Sequence, residues 1–307
     1  MLSSMSATPG LTREELRRLR ALARPSDARG LAQLALHLGS LAVTSAAVLA
    51  ARGSPWLLPA LVLQGVPLVF LFAPLHETIH RTAFRSRALN ATVATACGFL
   101  LLLPPRWFRA YHLAHHRHTQ DPERDPELAT PKPRTRLAWL LHVSGLPYWY
   151  AAAAGLLRSA AGRPDGSVVP PRERPAVVAE ARLFLLGYAL IGLGSLAASS
   201  IAALLLWVLP ALLAQPLLRL YLLAEHAGCP QVPEMLRNTR TTLTGPLLRG
   251  LAWNMPYHVE HHAFPAIPFH ALPQAHAVLR PRIAVLAPGY RAVTLEIWRA
   301  LERPTQR

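Results

Sequence analysis

Cysteine, acidic residues and a secretory leader are what this 307-residue sequence has little of. Its two cysteines, Cys97 and Cys229, cannot staple so long a chain, and neither has a neighbour at thiolate–metal spacing. Cys97 reads as a small packed hydrophobe, and Cys229, followed by Pro230, reads as structural. Acidic residues number 16 against 32 Lys and Arg, giving a net charge of +16. The opening, MLSSMSATPGLTREELRRLRALARP, is polar and basic, unlike a secretory signal with its apolar stretch and small-residue cleavage site. It reads as a helical lead-in, with Thr12 as N-cap and Glu15 three residues on. A hydrophobic fraction of 52% excludes general disorder. A basic chain with positive mean hydropathy leaves two classes, a nucleic-acid binder or a membrane protein with basic loops. Basic residues interleaved with stacking aromatics on a polar surface are absent, which argues against nucleic acid.

Long apolar runs are present. Residues 31–51 and 55–75 are two 21-residue stretches without formal charge, and residues 183–224 are a 42-residue run broken only by Arg219. A bilayer core takes roughly 20 helical residues per crossing. The long run therefore predicts two crossings with a turn near Ala198-Ser199-Ser200, and the chain predicts four crossings in two hairpins. A soluble bundle of buried helices is the weaker reading, because charge-free runs of this length rarely face only protein. Six arginines between Arg13 and Arg29 place the N-terminus inside by the positive-inside rule. On that map Arg52 alone of the basic residues lies outside. Residues 88–103 are short and bracketed by Arg87 and Arg106. Residues 137–157 are broken at Gly145-Leu146-Pro147 and carry Trp139, Tyr148, Trp149 and Tyr150, which favour the water–lipid boundary. Both read as re-entrant or surface-lying helices. Residues 161–175 read as a Pro-rich polar linker.

The 14 histidines are unevenly spread. His76 and His80 stand at i and i+4. His112, His115 and His116 stand at i, i+3 and i+4, and His258, His261 and His262 repeat that spacing. Positions three and four apart share a helix face, so each cluster aims its imidazoles one way. His226 adds a ninth at the inner end of the fourth crossing. One shared centre requires all clusters on one side of the membrane. That demands an even number of crossings between clusters, so neither 88–103 nor 137–157 should span.

Imidazole suits zinc, copper, iron and nickel alike. Nine imidazoles exceed the four ligands of structural zinc and point to two ions, each with four or five nitrogen donors and an open position. Glu77, Glu225 and Glu260 adjoin the candidate ligands, and Asp121 and Asp125 follow the second cluster; such carboxylates can hold a ring by its other N–H. His118 is six residues from His112 and reads as structural or supporting. His37, His142, His270 and His276 have no partner pattern and read as ordinary packed or surface residues.

HETIH (76–80), HLAHH (112–116) and HVEHH (258–262), with QDPERDPE, LAEH and WNMPYHVEHHAFPAIPFHALP around them, resemble the membrane fatty acid desaturase family. This family of integral-membrane di-iron oxygenases includes acyl desaturases, alkane hydroxylases and carotenoid ketolases. The resemblance covers roughly residues 30–280. It implies an all-α membrane fold of four crossings, with re-entrant or interfacial helices and a cytoplasmic helical cap holding the metals. The implied divisions are an N-terminal cytoplasmic segment (1–29), the desaturase-like domain (30–285) and a cytoplasmic tail (286–307). It further implies two irons held by His76, His80, His112, His115, His116, His226, His258, His261 and His262. O2 is the implied co-substrate, and a lipid or other long apolar molecule the substrate. A ferredoxin-, rubredoxin- or cytochrome b5-like protein is the implied electron donor, and the bacterial inner membrane the location. Box one is one residue shorter than in the animal acyl-CoA desaturases, so an acyl-CoA substrate does not carry over. Those enzymes place an Asn one turn before the extra histidine, where Leu222 stands here; Asn254, one turn before His258, is the candidate replacement.

No side-chain acid or base breaks an unactivated C–H bond, whereas a reduced metal pair reacting with O2 can. Removal of two hydrogens gives an alkene; removal of one and return of OH gives an alcohol. By resemblance, desaturation leads hydroxylation or ketolation. HETIH also fits the H-E-x-x-H signature of zinc proteases, with Glu77 as base, but that leaves six clustered histidines without a role. A metal carrier would need polar ligands within the crossings, and apart from His37 these hold almost none.

Overall fold

The computed structural model describes residues 10–301; the first nine and last six residues of the terminal segments expected from the sequence lie outside the described residues. The described chain is mostly helical. Helix α1 (Arg13–Leu22) and α2 (Asp27–Ala50) are followed by α3 (Leu57–Val69) and α4 (Phe72–His80), then α5 (Arg87–Leu100) and α6 (Pro105–His118). Next come α7 (Arg136–Val143), α8 (Leu146–Ala160), α9 (Arg174–Ala197) and α10 (Leu209–His226). The C-terminal third holds α11 (Met235–Asn238), α12 (Pro246–Leu251), α13 (His258–Ala263), α14 (Leu272–Leu279) and α15 (Tyr290–Ala300). A parallel two-residue pair, β1 (Thr241–Thr242) and β2 (Leu286–Ala287), is the exception to the helical rule.

Four stretches are long and apolar enough to cross a bilayer: Asp27–Ala50, Leu57–His80, Pro171–Ala197 and Leu204–His226. They match the four crossings expected from the three apolar runs of the sequence. Large apolar residues on their outer faces, such as Leu36, Val43, Leu183, Leu190 and Leu196, stay exposed, as lipid-facing positions must. The second stretch continues past Leu75 into box one. It is interrupted at Phe70-Leu71, four and three residues before Pro74, whose missing N–H cannot bond back to the Phe70 carbonyl. The turn between the third and fourth stretches falls where the sequence put it, with Ser199 in the left-handed region at φ 47°. A π turn, Leu204–Val208, leads into α10. Gln64 of α3 donates to its Leu206 carbonyl at 3.0 Å and to Ser45 Oγ of α2 at 3.0 Å, linking three elements in an apolar setting.

α10 packs on α3, with Gly65 as the point of closest approach; a Cβ there would run into the Pro210 carbonyl and Ala214. α9 lies chiefly on α8. An apolar groove of about 620 Å³ therefore stays open between α9 and α10, walled by Leu100, Trp149, Tyr188, Trp207 and Leu212.

α5 and α6 are short and meet at 98°. Gly98 permits the bend, since a Cβ there would strike the Leu103 carbonyl and the Pro105 ring. α6 brings box two beside box one, with the His76 and His112 rings 4.3 Å apart. Residues 137–157 form the broken pair α7 and α8, separated at Gly145, whose φ of 76° is left-handed.

Both terminal segments pack onto this core. The N-terminal lead-in is a capped helix as expected, with Thr12 and Glu15 forming the reciprocal capping box. Leu19 of α1 is fully buried, and Glu15 pairs with Arg282 at 2.8 Å. α15 lies on α10, stacking Tyr290 on Tyr221 with ring centroids 5.0 Å apart.

Candidate metal centre

α4, α6, α10 and α13 converge end-on. α4 is stopped directly after His80 by Arg81, a non-glycine residue at φ 65°. α13 is aimed by two consecutive left-handed residues, Trp253 (φ 50°) and Asn254 (φ 58°). Such a conformation costs about 1–2 kcal/mol per residue, and the surroundings hold it. Trp253 Nε1 donates to His37 Nδ1 at 3.3 Å, His37 Nε2 donates to the Pro67 carbonyl at 2.8 Å, and Asn254 Nδ2 donates to the Phe269 carbonyl at 3.1 Å. His37 thus braces α13 and belongs to no metal-type group.

Eight of the nine box and α10 histidines are buried, and His116 is partly so. They sort into two sets that could each hold an ion. The first is His76, His80, His112, His116 and His261; the second is His115, His226 and His262, with His258 against it. Box one and box three, far apart in sequence, are in contact: the His76 and His261 rings are 4.6 Å apart, as are His80 and His261.

Nitrogen spacing tests the fit to a metal. Cis donors on an ion with bonds of about 2.1 Å lie about 3.0 Å apart. In the first set, His116 Nε2 is 2.9 Å from His112 Nε2 and 3.2 Å from His261 Nε2. In the second, His226 Nε2 is 3.2 Å from both His115 Nε2 and His258 Nε2, and His258 Nε2 is 3.1 Å from His262 Nε2. Both ring nitrogens of His76 and of His80 are buried with no hydrogen-bond partner among the described residues. An unmet buried polar atom costs about 1–3 kcal/mol, and a shared cation is what such a set of lone pairs accommodates. The residues present fit a pair of metal ions.

The second nitrogens orient the rings. His115 Nδ1 donates to Asp125 Oδ1 at 2.9 Å, leaving Nε2 to face His226. Thr119 Oγ1 donates to the His115 carbonyl at 2.8 Å and accepts from His262 Nδ1 at 3.2 Å. Glu225 lies 3.5 Å from His258 Nδ1. Burial, and then the neighbouring imidazoles, hold His112, His116, His261 and His262 well below the usual histidine range. Neutral rings are the ligating form. At His115 burial acts the same way, but Glu127 and Asp125 outweigh it and push the ring up.

The candidate supporting residues fall in different places. Asp125 and Glu225 meet box rings. Asp121 is turned outward, accepting from Arg124 Nε at 2.7 Å. Glu77 is fully buried, and its Oε1 accepts from the Phe269 N–H at 3.0 Å; it faces away from the histidines, where a protease base cannot serve. Glu260 accepts from Thr241 Oγ1 at 2.6 Å and meets His276 Nδ1, not a box ring. Asn254 bonds the Phe269 carbonyl. His118 is half-buried at the end of α6, outside both sets. Thr119, Gln120 and His276 were missed from sequence. Gln120 Nε2 donates to the His226 carbonyl at 2.8 Å, and its N–H to Asp125 Oδ2 at 2.8 Å. The only available signal was their nearness to a box or to α13, which does not specify direction.

Two buried imidazole sets that could each hold a metal ion, together with four membrane-type helices, define a histidine-rich membrane protein of metal-binding type. The chain belongs to the fatty acid desaturase family, whose profile matches residues 12–294. It is 27% identical to the dihydrorhizobitoxine desaturase of Bradyrhizobium elkanii over 287 residues, 88% of this chain and 79% of that protein. It is a desaturase-like oxidoreductase.

Proposed function

We propose that the protein is a di-iron, O2-dependent desaturase that removes two hydrogens from adjacent carbons of a lipid acyl chain. The observation that carries this reading is the division of nine imidazoles into two metal-sized sets. When bound, the iron pair would supply the reaction with O2: one alkane unit, O2, two electrons and two protons give one alkene and two waters. The two electrons come from an external donor protein.

The chain's own residues hold and orient. In this reading His76, His80, His112, His116 and His261 ligate one iron, and His115, His226, His258 and His262 the other. Asp125 and Thr119 fix the Nδ1–H forms of His115 and His262, so that each offers its Nε2 lone pair. Apolar rings abut the centre: Phe72 stacks on His76 at 6.0 Å, Phe108 lies 5.4 Å from His112, and the two Phe rings are 5.5 Å apart. Such walls exclude water and suit a hydrocarbon better than a polar substrate. The centre, α1 and α15 lie on the cytoplasmic face of the membrane, in keeping with the six arginines of residues 13–29. The name of the relative favours desaturation over hydroxylation.

Expression with a reductase system, followed by mass spectrometry of the host lipids, tests this. Loss of two hydrogens from an acyl chain supports the proposal. A gain of one oxygen would make it a hydroxylase, and an unchanged lipid profile with active reductase would count against a lipid substrate.

A further inference from the structure

The geometry points to Glu127 as an oxygen ligand of the ion held by His115, His226, His258 and His262. The inference rests on the two-metal reading above and adds a residue to it.

The two imidazole sets are unequal. Five rings surround the first position, and four surround the second. The neighbouring positions that might make up the difference do not. Leu222, one turn before His226, has no donor atom. Asn254, one turn before His258, spends its amide on the Phe269 carbonyl at 3.1 Å. Glu225 approaches the back of His258, at Nδ1, and not the front.

Glu127 approaches the front. Its Oε1 is 3.8 Å from His115 Nε2, the nitrogen that also faces His226 Nε2 at 3.2 Å. Two donors on one ion with bonds of about 2.1 Å are about 3.0 Å apart when adjacent and about 4.2 Å when opposite. A separation of 3.8 Å falls inside that range, so both atoms can meet one ion without a backbone shift.

The local chain explains the placement. Asp125 Oδ1 accepts from His115 Nδ1 at 2.9 Å and also from the Glu127 N–H at 2.9 Å. The turn Asp125-Pro126-Glu127 thus sets one carboxylate behind the imidazole and the next in front of it. Among the described residues, no side-chain hydrogen bond removes Glu127 from this role. Lys132 Nζ lies 3.8 Å from its Oε2, beyond hydrogen-bonding distance. The Glu127 side chain is 28% exposed, which leaves it free to swing onto the ion or away. A carboxylate would give the second ion a charged, hard oxygen donor where the first has only nitrogen. The two ions would then differ in charge and in preference for the oxidised state.

The test is iron content and Mössbauer spectroscopy of the full-length protein, purified and loaded with iron, as wild type, Glu127→Ala, Glu127→Gln, Glu127→Asp and Lys132→Met. Glu127→Ala is expected to fall from about two irons per chain to about one, with one spectral component lost and the other unmoved. Glu127→Gln keeps the shape and should show the same component altered, which covers the case in which the alanine variant does not fold. Glu127→Asp should recover part of the loss, and Lys132→Met should retain both ions. Two irons with an unaltered spectrum in Glu127→Ala or Glu127→Gln would overturn the inference. So would an equal loss in Lys132→Met, which would show that Glu127 acts only by fixing its loop. A wild-type protein that takes up no iron pair would overturn the two-metal reading and this inference with it.

Discussion

Replacing Asp125 with Asn tests the link between the loop after box two and the metal centre. The Asp125 side chain is 2% exposed and takes three N–H donors: His115 Nδ1 at 2.9 Å, the Gln120 N–H at 2.8 Å and the Glu127 N–H at 2.9 Å. An asparagine keeps the shape but exchanges one acceptor for an NH2. Either orientation sets that NH2 against a donor, Gln120 in one case and His115 in the other. Loss of a hydrogen bond to a charged group costs about 1.5–3 kcal/mol, or roughly 10- to 100-fold in affinity for the ion on His115. Chelator competition measures that affinity, with the first ion as internal reference. There is also a pH signature. Burial would raise the Asp125 carboxyl, but His115 and the N–H groups of Gln120 and Glu127 outweigh it and hold it below its usual 3.8. A carboxyl lowered on folding stabilises the native state above its unfolded pKa, and that contribution is lost as pH falls through the folded value. The wild-type protein should therefore lose stability below pH 3.8 by a step that the Asn variant lacks. Unchanged metal affinity together with an unchanged acid limb of the stability curve would refute the reasoning.

Other substitutions separate the roles assigned above. His116→Ala and His261→Ala should abolish turnover while membrane insertion, followed by fractionation, stays intact; retained activity in either would contradict the ligand assignment. Glu77→Gln should keep metal content and most activity, since Glu77 faces the Phe269 N–H and not the histidines. A loss of peptide cleavage in that variant would instead revive the protease reading. Gly65→Leu should lower the unfolding temperature by separating α3 from α10, with the about 1–3 kcal/mol typical of overpacking. Gln64→Leu should cost about 1 kcal/mol or less, since polar links inside membrane proteins are worth little more.

Much of this arrangement was legible before any coordinates. Charge-free runs gave the four apolar stretches because a hydrocarbon core forces about 20 unbroken residues per helix. The i, i+3, i+4 spacing gave the faces of boxes two and three because helical periodicity is rigid. The demand for one shared centre led to the expectation that residues 88–103 do not span; they form α5, bent by 98° from α6, and His80 and His112 meet with ring centroids 4.9 Å apart. What could not be read depends on loops and on tertiary packing. Asp121 and Asp125 sit in the same acidic run, yet one caps its own turn and the other reaches His115; left-handed Gln120, at φ 64°, precedes both and redirects the chain. Glu260 lies between two box residues, yet packing turns it to Thr241 and His276. The interruption at Phe70-Leu71 was available in Pro74 but hidden by a run of apolar residues on both sides. The short β1–β2 pair joins residues more than forty positions apart and has no local signature.

Metal analysis of the purified full-length protein, with Mössbauer spectroscopy after anaerobic loading, tests the central claim most directly. About two irons per chain, magnetically coupled and both dependent on box histidines, is the predicted result. A single zinc bound through box one alone, or two ions that survive loss of His261 and His226 together, would contradict it.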